Sequence, residues 1–126
     1  MALCPAMAYS ATWSTSSGQA TVDYERVANG GSTFIAVGKG KIYVSHDWGV
    51  SFTEQVIEGG GAFLNNKGFK DVAYDVTRDV AVAVQDENNL IYASDDLSGD
   101  HWVLATTVNE GKKFTRVAYD GAYAIA

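Results

Sequence analysis

Apolar residues follow one another along this chain in short runs, most of them bounded by glycine, asparagine or aspartate. Clear examples are residues 34–37, 41–44, 79–84 and 90–93. No stretch keeps apolar residues at the i, i+3, i+4, i+7 spacing of an amphipathic helix over three turns. Short β-prone runs between turn residues are typical of strands. The sequence therefore predicts an all-β fold.

One sequence pattern occurs three times at a spacing of 45 residues. It begins with an aromatic residue, at Tyr24, Phe69 and Phe114, and continues in each copy to a Val-Ala pair. A second apolar strand follows each copy, and two copies continue to a third strand, at 42–45 and 91–94, and to a fourth. Four antiparallel strands in about 45 residues are the unit of a β-propeller blade, which must stack on neighbours. The alternative is a β-sandwich with accidental internal similarity.

A motif of the form Ser-x-Asp-x-Gly-x-x-aromatic connects the third and fourth predicted strands. It spans residues 45–52 and returns at residues 94–102 with one residue inserted before the glycine. The motif resembles the Asp-box, or bacterial neuraminidase repeat, which occurs in sialidases and in many non-enzymatic propellers. The resemblance implies a hairpin turn at the blade periphery with a structural role. The residues that match are Ser45, Asp47, Gly49, Phe52, Ser94, Asp96, Gly99 and Trp102.

The strand pattern divides one domain, residues 1–126, into blades. We expect a complete blade at 24–57 and another at 69–107, with residues 1–18 as the third and fourth strands of a split blade and 114–126 as its first and second strands. Three blades are too few to close a ring, since propellers use four or more. We therefore expect the ring to be completed by oligomerisation, most simply as a strand-exchanged dimer. An excerpt of a longer propeller would show the same pattern.

The amino-acid composition limits the classes of molecule that this chain is expected to bind. The formal net charge is -6, from 15 acidic and 9 basic residues, which disfavours binding to the phosphates of nucleic acid. No apolar run approaches the roughly 20 residues that span a bilayer, and no signal peptide is recognisable at the start. We expect a soluble chain without membrane insertion, and the sequence does not indicate its compartment. Cys4 is the only cysteine, so no disulfide or thiolate metal site within the chain is expected.

The charged residues favour a structural role over catalysis. Sialidases hold the substrate carboxylate with three arginines and use a tyrosine nucleophile. This chain has three arginines in total, Arg26, Arg78 and Arg116. Arg26, Asp71 and Arg116 occupy equivalent repeat positions, which predicts alternating ion pairs between neighbouring first strands. We therefore expect no enzyme, no cofactor and no metal. A sialidase-like fragment is the least favoured function.

Two functions fit these observations. The first is a non-catalytic assembly module that binds copies of itself, for example in a viral or cell-surface structure. The second is a lectin-like module whose aromatic residues stack on the rings of a glycan, because aromatic side chains offer large apolar faces. The candidate ligand-binding residues are Trp48, Trp102, Tyr43 and Tyr92.

Overall fold

The computed structural model of the chain describes residues 23–58, 68–85, 90–96, 101–107, 114–119 and 124–125. All regular structure within these ranges is β-strand. The strands are β1 (Tyr24–Gly30), β2 (Thr33–Gly38), β3 (Ile42–Ser45), β4 (Thr53–Glu54), β5 (Val56–Glu58), β6 (Phe69–Asp75), β7 (Val80–Gln85), β8 (Leu90–Ser94), β9 (His101–Thr107), β10 (Ala118–Tyr119) and β11 (Ala124–Ile125). Among the described residues, no helix is long and apolar enough to cross a membrane.

The strands form three sheets in chain order. The first sheet is β1-β2-β3-β4, with every neighbouring pair antiparallel. The second sheet repeats this arrangement as β6-β7-β8-β9, and the third consists of β10 and β11. The prediction of an all-β fold with four-stranded antiparallel units is confirmed. The predicted strands within residues 1–18 lie outside the described residues.

Strand β5 was not predicted as a separate element. After β4, the chain crosses directly to the outer edge of the second sheet, where Val56–Glu58 pairs in parallel with β9. The partner strand lies more than 40 residues further along the chain, so no turn motif near β5 indicates this pairing. The second sheet therefore has five strands, and β5 ties the periphery of the two sheets together.

The two sheets share their register. Val27 lies opposite Ala36 in the first sheet, and Val72 lies opposite Ala83 in the second. Both first strands also carry an irregularity directly after the leading aromatic residue, at Tyr24 and Phe69. Equivalent residues of the repeat therefore lie on equivalent faces, which allows the two sheets to be compared position by position.

The hydrophobic core lies between the sheets. One face of the first sheet and the facing side of the second sheet form a single buried cluster. The first sheet contributes Ile35, Val37, Ile42 and Val44, and the second contributes Phe69, Val72, Ala81, Ala83, Leu90, Tyr92 and Trp102. Each sheet is thus stabilised mainly by the sheet on which it stacks, as the propeller interpretation requires.

Both sheets place an aromatic pair on the same side. Tyr24 packs edge-to-face against Tyr43 with ring centroids 5.8 Å apart, and Phe69 packs in the same way against Tyr92 at 5.5 Å. In the second sheet the pair is buried against the first sheet, whereas Tyr24 remains exposed. The face of the first sheet that carries Tyr24 is called the outer face below.

Asp71 connects the first strands of all three sheets. Its Oδ1 lies 3.9 Å from Nε of Arg26 on β1, and its Oδ2 accepts a hydrogen bond of 2.9 Å from the amide of Val117, next to β10. Arg116 does not complete the expected alternation, because its guanidinium donates to the carbonyl of Thr115 instead. A backbone amide therefore takes the place that the sequence suggested for the second arginine.

We expect Asp71→Ala to lower the free energy of unfolding by about 1–3 kcal/mol, because the half-buried Val117 amide loses its acceptor. Arg26→Ala should cost less than about 1 kcal/mol, since the arginine is largely exposed and the pair is long. Arg116→Ala is the control and should have little effect. Urea denaturation of the three variants measures this order, and equal losses for all three would contradict the central role of Asp71.

Candidate functional site

The residues between β3 and β4 form a turn held by one serine and one carboxylate. Ser45 donates a hydrogen bond of 2.7 Å to Oδ1 of Asp47, and its Oγ accepts one of 2.9 Å from the amide of Gly49. The Asp47 carboxylate also accepts hydrogen bonds from the amide and the hydroxyl of Ser51. The carboxylate therefore links both ends of the turn, and we call residues 45–52 the Asp47 turn.

These hydrogen bonds change the acidity of Asp47. The hydroxyl and amide of Ser51, followed by the hydroxyl of Ser45, lower the pKa of the Asp47 carboxyl from 3.8 to about 2. Hydrogen bonds to the charged form favour ionisation. Asp47 is therefore ionised at neutral pH, and the ionised carboxylate stabilises the folded protein.

Trp48 and Gly49 are the two central residues of the Asp47 turn. Their φ angles are +63° and +81°, and the amide of Val50 donates to the carbonyl of Asp47 at 3.3 Å. Positive φ at both central positions is the signature of a type I′ turn, in which asparagine followed by glycine is strongly preferred. A bulky side chain in this region is a rare exception. Trp48 is nevertheless 71% exposed.

The Asp47 turn is also tied to the neighbouring hairpin. The amide of Trp48 donates a hydrogen bond of 2.9 Å to the carbonyl of Ser32, between β1 and β2. His46 is exposed, and its Nδ1 lies 3.4 Å from Oγ1 of Thr33. The backbone of Trp48 is thus fixed on both sides, while its ring projects into solvent.

The second motif is described only in part. Ser94 is buried and Asp96 is exposed, and Gly99 lies outside the described residues. Within the described ranges, neither Oγ of Ser94 nor Nε1 of Trp102 has a hydrogen-bond partner. The geometry of the turn is therefore established at residues 45–52 alone.

The structure separates the four candidate ligand-binding aromatic residues. Tyr43, Tyr92 and Trp102 are buried, and their rings offer no free face for stacking. Burial, followed by the hydrogen bond to Glu54 at 3.0 Å, raises the pKa of Tyr43 to about 12. A glycan-stacking role among these four residues is therefore restricted to Trp48.

The arginines and the tyrosine–carboxylate pairs do not assemble a sialidase-like centre in the described part of the chain. Tyr43 donates a hydrogen bond to Glu54 and Tyr74 donates one to Asp79, but burial raises the pKa of each tyrosine, which opposes its use as a nucleophile. Each arginine has a different partner: Arg26 lies near Asp71, Arg78 pairs with Asp75 at 2.9 Å, and Arg116 bonds the neighbouring carbonyl.

The outer face of the first sheet carries an open groove of about 490 Å³. Its lining residues are Tyr24, Glu25, Arg26, Val27, Ala36 and Phe52. Sequence reasoning did not single out this face. The repeat does indicate this face. Tyr24, Val27 and Phe52 align with Phe69, Val72 and Trp102, and these three residues of the second sheet are buried between the sheets.

We expect Asp47→Ala to lower the melting temperature by several degrees at neutral pH, because the amides and hydroxyls of the turn lose their shared acceptor. Ser45→Ala should act in the same direction, since it removes three hydrogen bonds of the turn. Differential scanning calorimetry checks both variants. A parent-like melting temperature for Asp47→Ala would show that the carboxylate does not hold the turn.

The lowered pKa of Asp47 predicts a pH dependence. Its stabilising contribution should be complete above about pH 5, once the unfolded-state carboxyl with its pKa of 3.8 is ionised, and it should be lost as the pH falls through the folded-state pKa of about 2. Asp47→Asn keeps an acceptor oxygen but cannot titrate, so it is the matched control for other carboxyl groups. The difference in melting temperature between wild type and Asp47→Asn should shrink over that range, and a constant difference would contradict the assignment.

No protein-family profile and no curated protein matches the sequence. A similar solved structure is YCF48 from Cyanidioschyzon merolae, a β-propeller protein, with a TM-score of 0.52 and 17% sequence identity. The similarity covers 83% of this chain but 36% of YCF48, so the chain spans little more than a third of that protein's length. At this identity the similarity concerns the fold alone. Together with the stacked four-stranded sheets, it identifies the fold as a piece of a β-propeller.

Proposed function

We propose that this chain is a non-catalytic assembly module, in which the outer face of the first sheet binds a blade of a second copy. One observation carries the proposal: Val27, on the outer face, is 62% exposed, whereas Val72 at the equivalent position of the second sheet is 6% exposed. The two sheets have the same register and the same aromatic pair. The outer face thus has the side chains of a blade interface.

A second copy can supply a suitable partner surface. Within the chain, the facing surface of a neighbouring blade consists of β-branched aliphatic residues such as Ile35 and Val37. Charged residues of adjacent first strands also pair, with Lys70 3.7 Å from Glu25 and Asp71 3.9 Å from Arg26. In a second copy these side chains are already engaged within that chain. We propose that the outer face binds the third repeat of the second copy instead, where Ile125 lies opposite Ala118 as Ile35 lies opposite Ala28, and where Ile125 is 75% exposed. Contacts between unlike faces of identical chains form closed rings where the rotation permits it, and we propose a dimer with six blades.

A binding function rather than catalysis is supported by the chemistry of the described residues. The two described tyrosines that donate to a carboxylate, Tyr43 and Tyr74, have pKa values raised by burial, and the three arginines are engaged with separate partners. The alternative function is a lectin-like module. One specific observation favours it, the exposed ring of Trp48 on the Asp47 turn.

Light scattering of the purified chain at micromolar concentration tests the assembly proposal. We expect a mass of twice 13.5 kDa, that of a dimer. We expect Val27→Arg to shift the mass to that of the monomer, because it places a charge in the interface. Val50→Arg is the matched control, because Val50 is 66% exposed but lies in the Asp47 turn rather than on the outer face.

Two results would overturn the assembly proposal. A wild-type monomer at these concentrations would show that copies of the chain do not associate. An oligomer that survives Val27→Arg but dissociates with Val50→Arg would place the interface at the Asp47 turn instead. Circular dichroism of each variant verifies that the β-sheet content is retained.

A further inference from the structure

We propose that the tip of the Asp47 turn is a carbohydrate-binding site, in which the ring of Trp48 stacks on the apolar face of a neutral pyranose. The proposal deepens the alternative function above. It rests on Trp48 and its turn, and it does not depend on the outer face of the first sheet.

The first argument is that the fold does not need a tryptophan here. The ring is 71% exposed, so it contributes little to the core. Its φ of +63° places a bulky residue in the left-handed region, where asparagine would be less strained. A residue that is both strained and exposed is better explained by a contact with a ligand than by packing.

The second argument is rigidity. The backbone on either side of the ring is held by the Asp47 carboxylate and by the hydrogen bond from the Trp48 amide to Ser32. A preorganised aromatic residue loses little conformational entropy on binding, and aromatic anchors of this kind dominate many recognition surfaces. The Asp47 turn therefore holds the backbone of Trp48 in place, so that binding of a ring needs to order only the side-chain torsions of the indole.

The chemistry around the indole indicates the ligand class. A sugar ring offers C–H groups on one face and hydroxyl groups at its edge. The Asp47 turn has matching groups, with the exposed Val50 two residues after the indole and the exposed imidazole of His46 two residues before it. The ionised Asp47 in the same turn and the net charge of -6 oppose an acidic sugar. β-Galactosides and β-glucosides fit these conditions, because the axial hydrogens on C1, C3 and C5 lie on the same face of the ring and give it an apolar surface.

The decisive variant is Trp48→Asn. Asparagine followed by glycine is the preferred pair for this turn, so the variant should melt a few degrees above wild type while losing the stacking ring. We expect wild type to bind neutral β-galactoside or β-glucoside oligosaccharides on a glycan array. In a calorimetric titration with the oligosaccharide bound best, Trp48→Asn should weaken binding at least about tenfold. Loss of binding in a more stable protein cannot be attributed to unfolding.

Trp48→Phe and Val50→Ala complete the design. Trp48→Phe keeps an aromatic face and should retain part of the affinity. Val50→Ala removes part of the apolar surface beside the indole and should weaken binding less than Trp48→Asn does. Isothermal calorimetry measures the variants without relying on the indole signal. Absence of binding by wild type to any neutral glycan on the array, or unchanged affinity in Trp48→Asn, would overturn the proposal. A change in the oligomeric mass of Trp48→Asn would show instead that the indole contacts another copy.

These outcomes are distinguishable from those of the assembly proposal. Light scattering of Val27→Arg reports on the outer face, and glycan titration of Trp48→Asn reports on the Asp47 turn. Val27→Arg should bind the same oligosaccharide with wild-type affinity for each site, because its substitution lies on the sheet face. A protein that assembles but binds no sugar would leave the assembly function standing and remove the carbohydrate site.

Discussion

A four-stranded sheet exposes two faces and can bury neither of them alone, and the rest of this structure depends on that constraint. The buried cluster contains residues of the first sheet on one side and of the second sheet on the other. Neither sheet has a hydrophobic core of its own. Because burial of apolar surface is the main favourable term in folding, the stacking of adjacent blades is also the main source of stability. A face without a neighbouring blade, such as the one that carries Val27, leaves this stabilisation incomplete.

Polar contacts set how the blades meet along their first strands. Asp71 is buried, and it reaches both the guanidinium of Arg26 and the amide of Val117. A buried carboxylate is costly unless it is hydrogen-bonded, so these contacts favour one spacing and one relative shift of the strands. At the periphery, β5 adds a second connection by pairing with β9. The blades are therefore held together at their inner and outer edges as well as through their faces.

The sequence could predict the blades but not every partner of the residues in them. The repeat of an aromatic residue at Tyr24 and Phe69 was sufficient for strand order and for the four-stranded unit, because it reflects local pattern. The parallel pairing of β5 depends on a contact distant in sequence, which local pattern does not contain. The same limit applies to Asp71, where an amide of the third copy competes successfully with the Arg116 side chain for the carboxylate.

The aromatic residues show the same limit for the candidate site. Trp48 and Trp102 belong to the two copies of one motif, yet one is exposed and the other buried. Their positions in the motif differ: Trp102 stands at its last position, where the chain re-enters the sheet, while Trp48 stands at a variable position inside the turn. The strand tyrosines Tyr43 and Tyr92 follow the register instead, which directs both rings to the face with the aromatic pair. For the two tryptophans, exposure thus follows the position in the motif rather than the residue type.

The two proposed surfaces lie on parts of the blade that obey different physical requirements. The outer face is a regular sheet surface, and the association proposed for it relies on apolar area and on charges of the first strands. The Asp47 turn contributes to folding through its carboxylate and hydroxyl groups, which leaves the side chain at position 48 unconstrained by packing. A blade can therefore change its turn residue without changing how it stacks. This separation permits one small repeat to combine assembly with recognition, because a strained residue in the turn need not weaken the interface between blades.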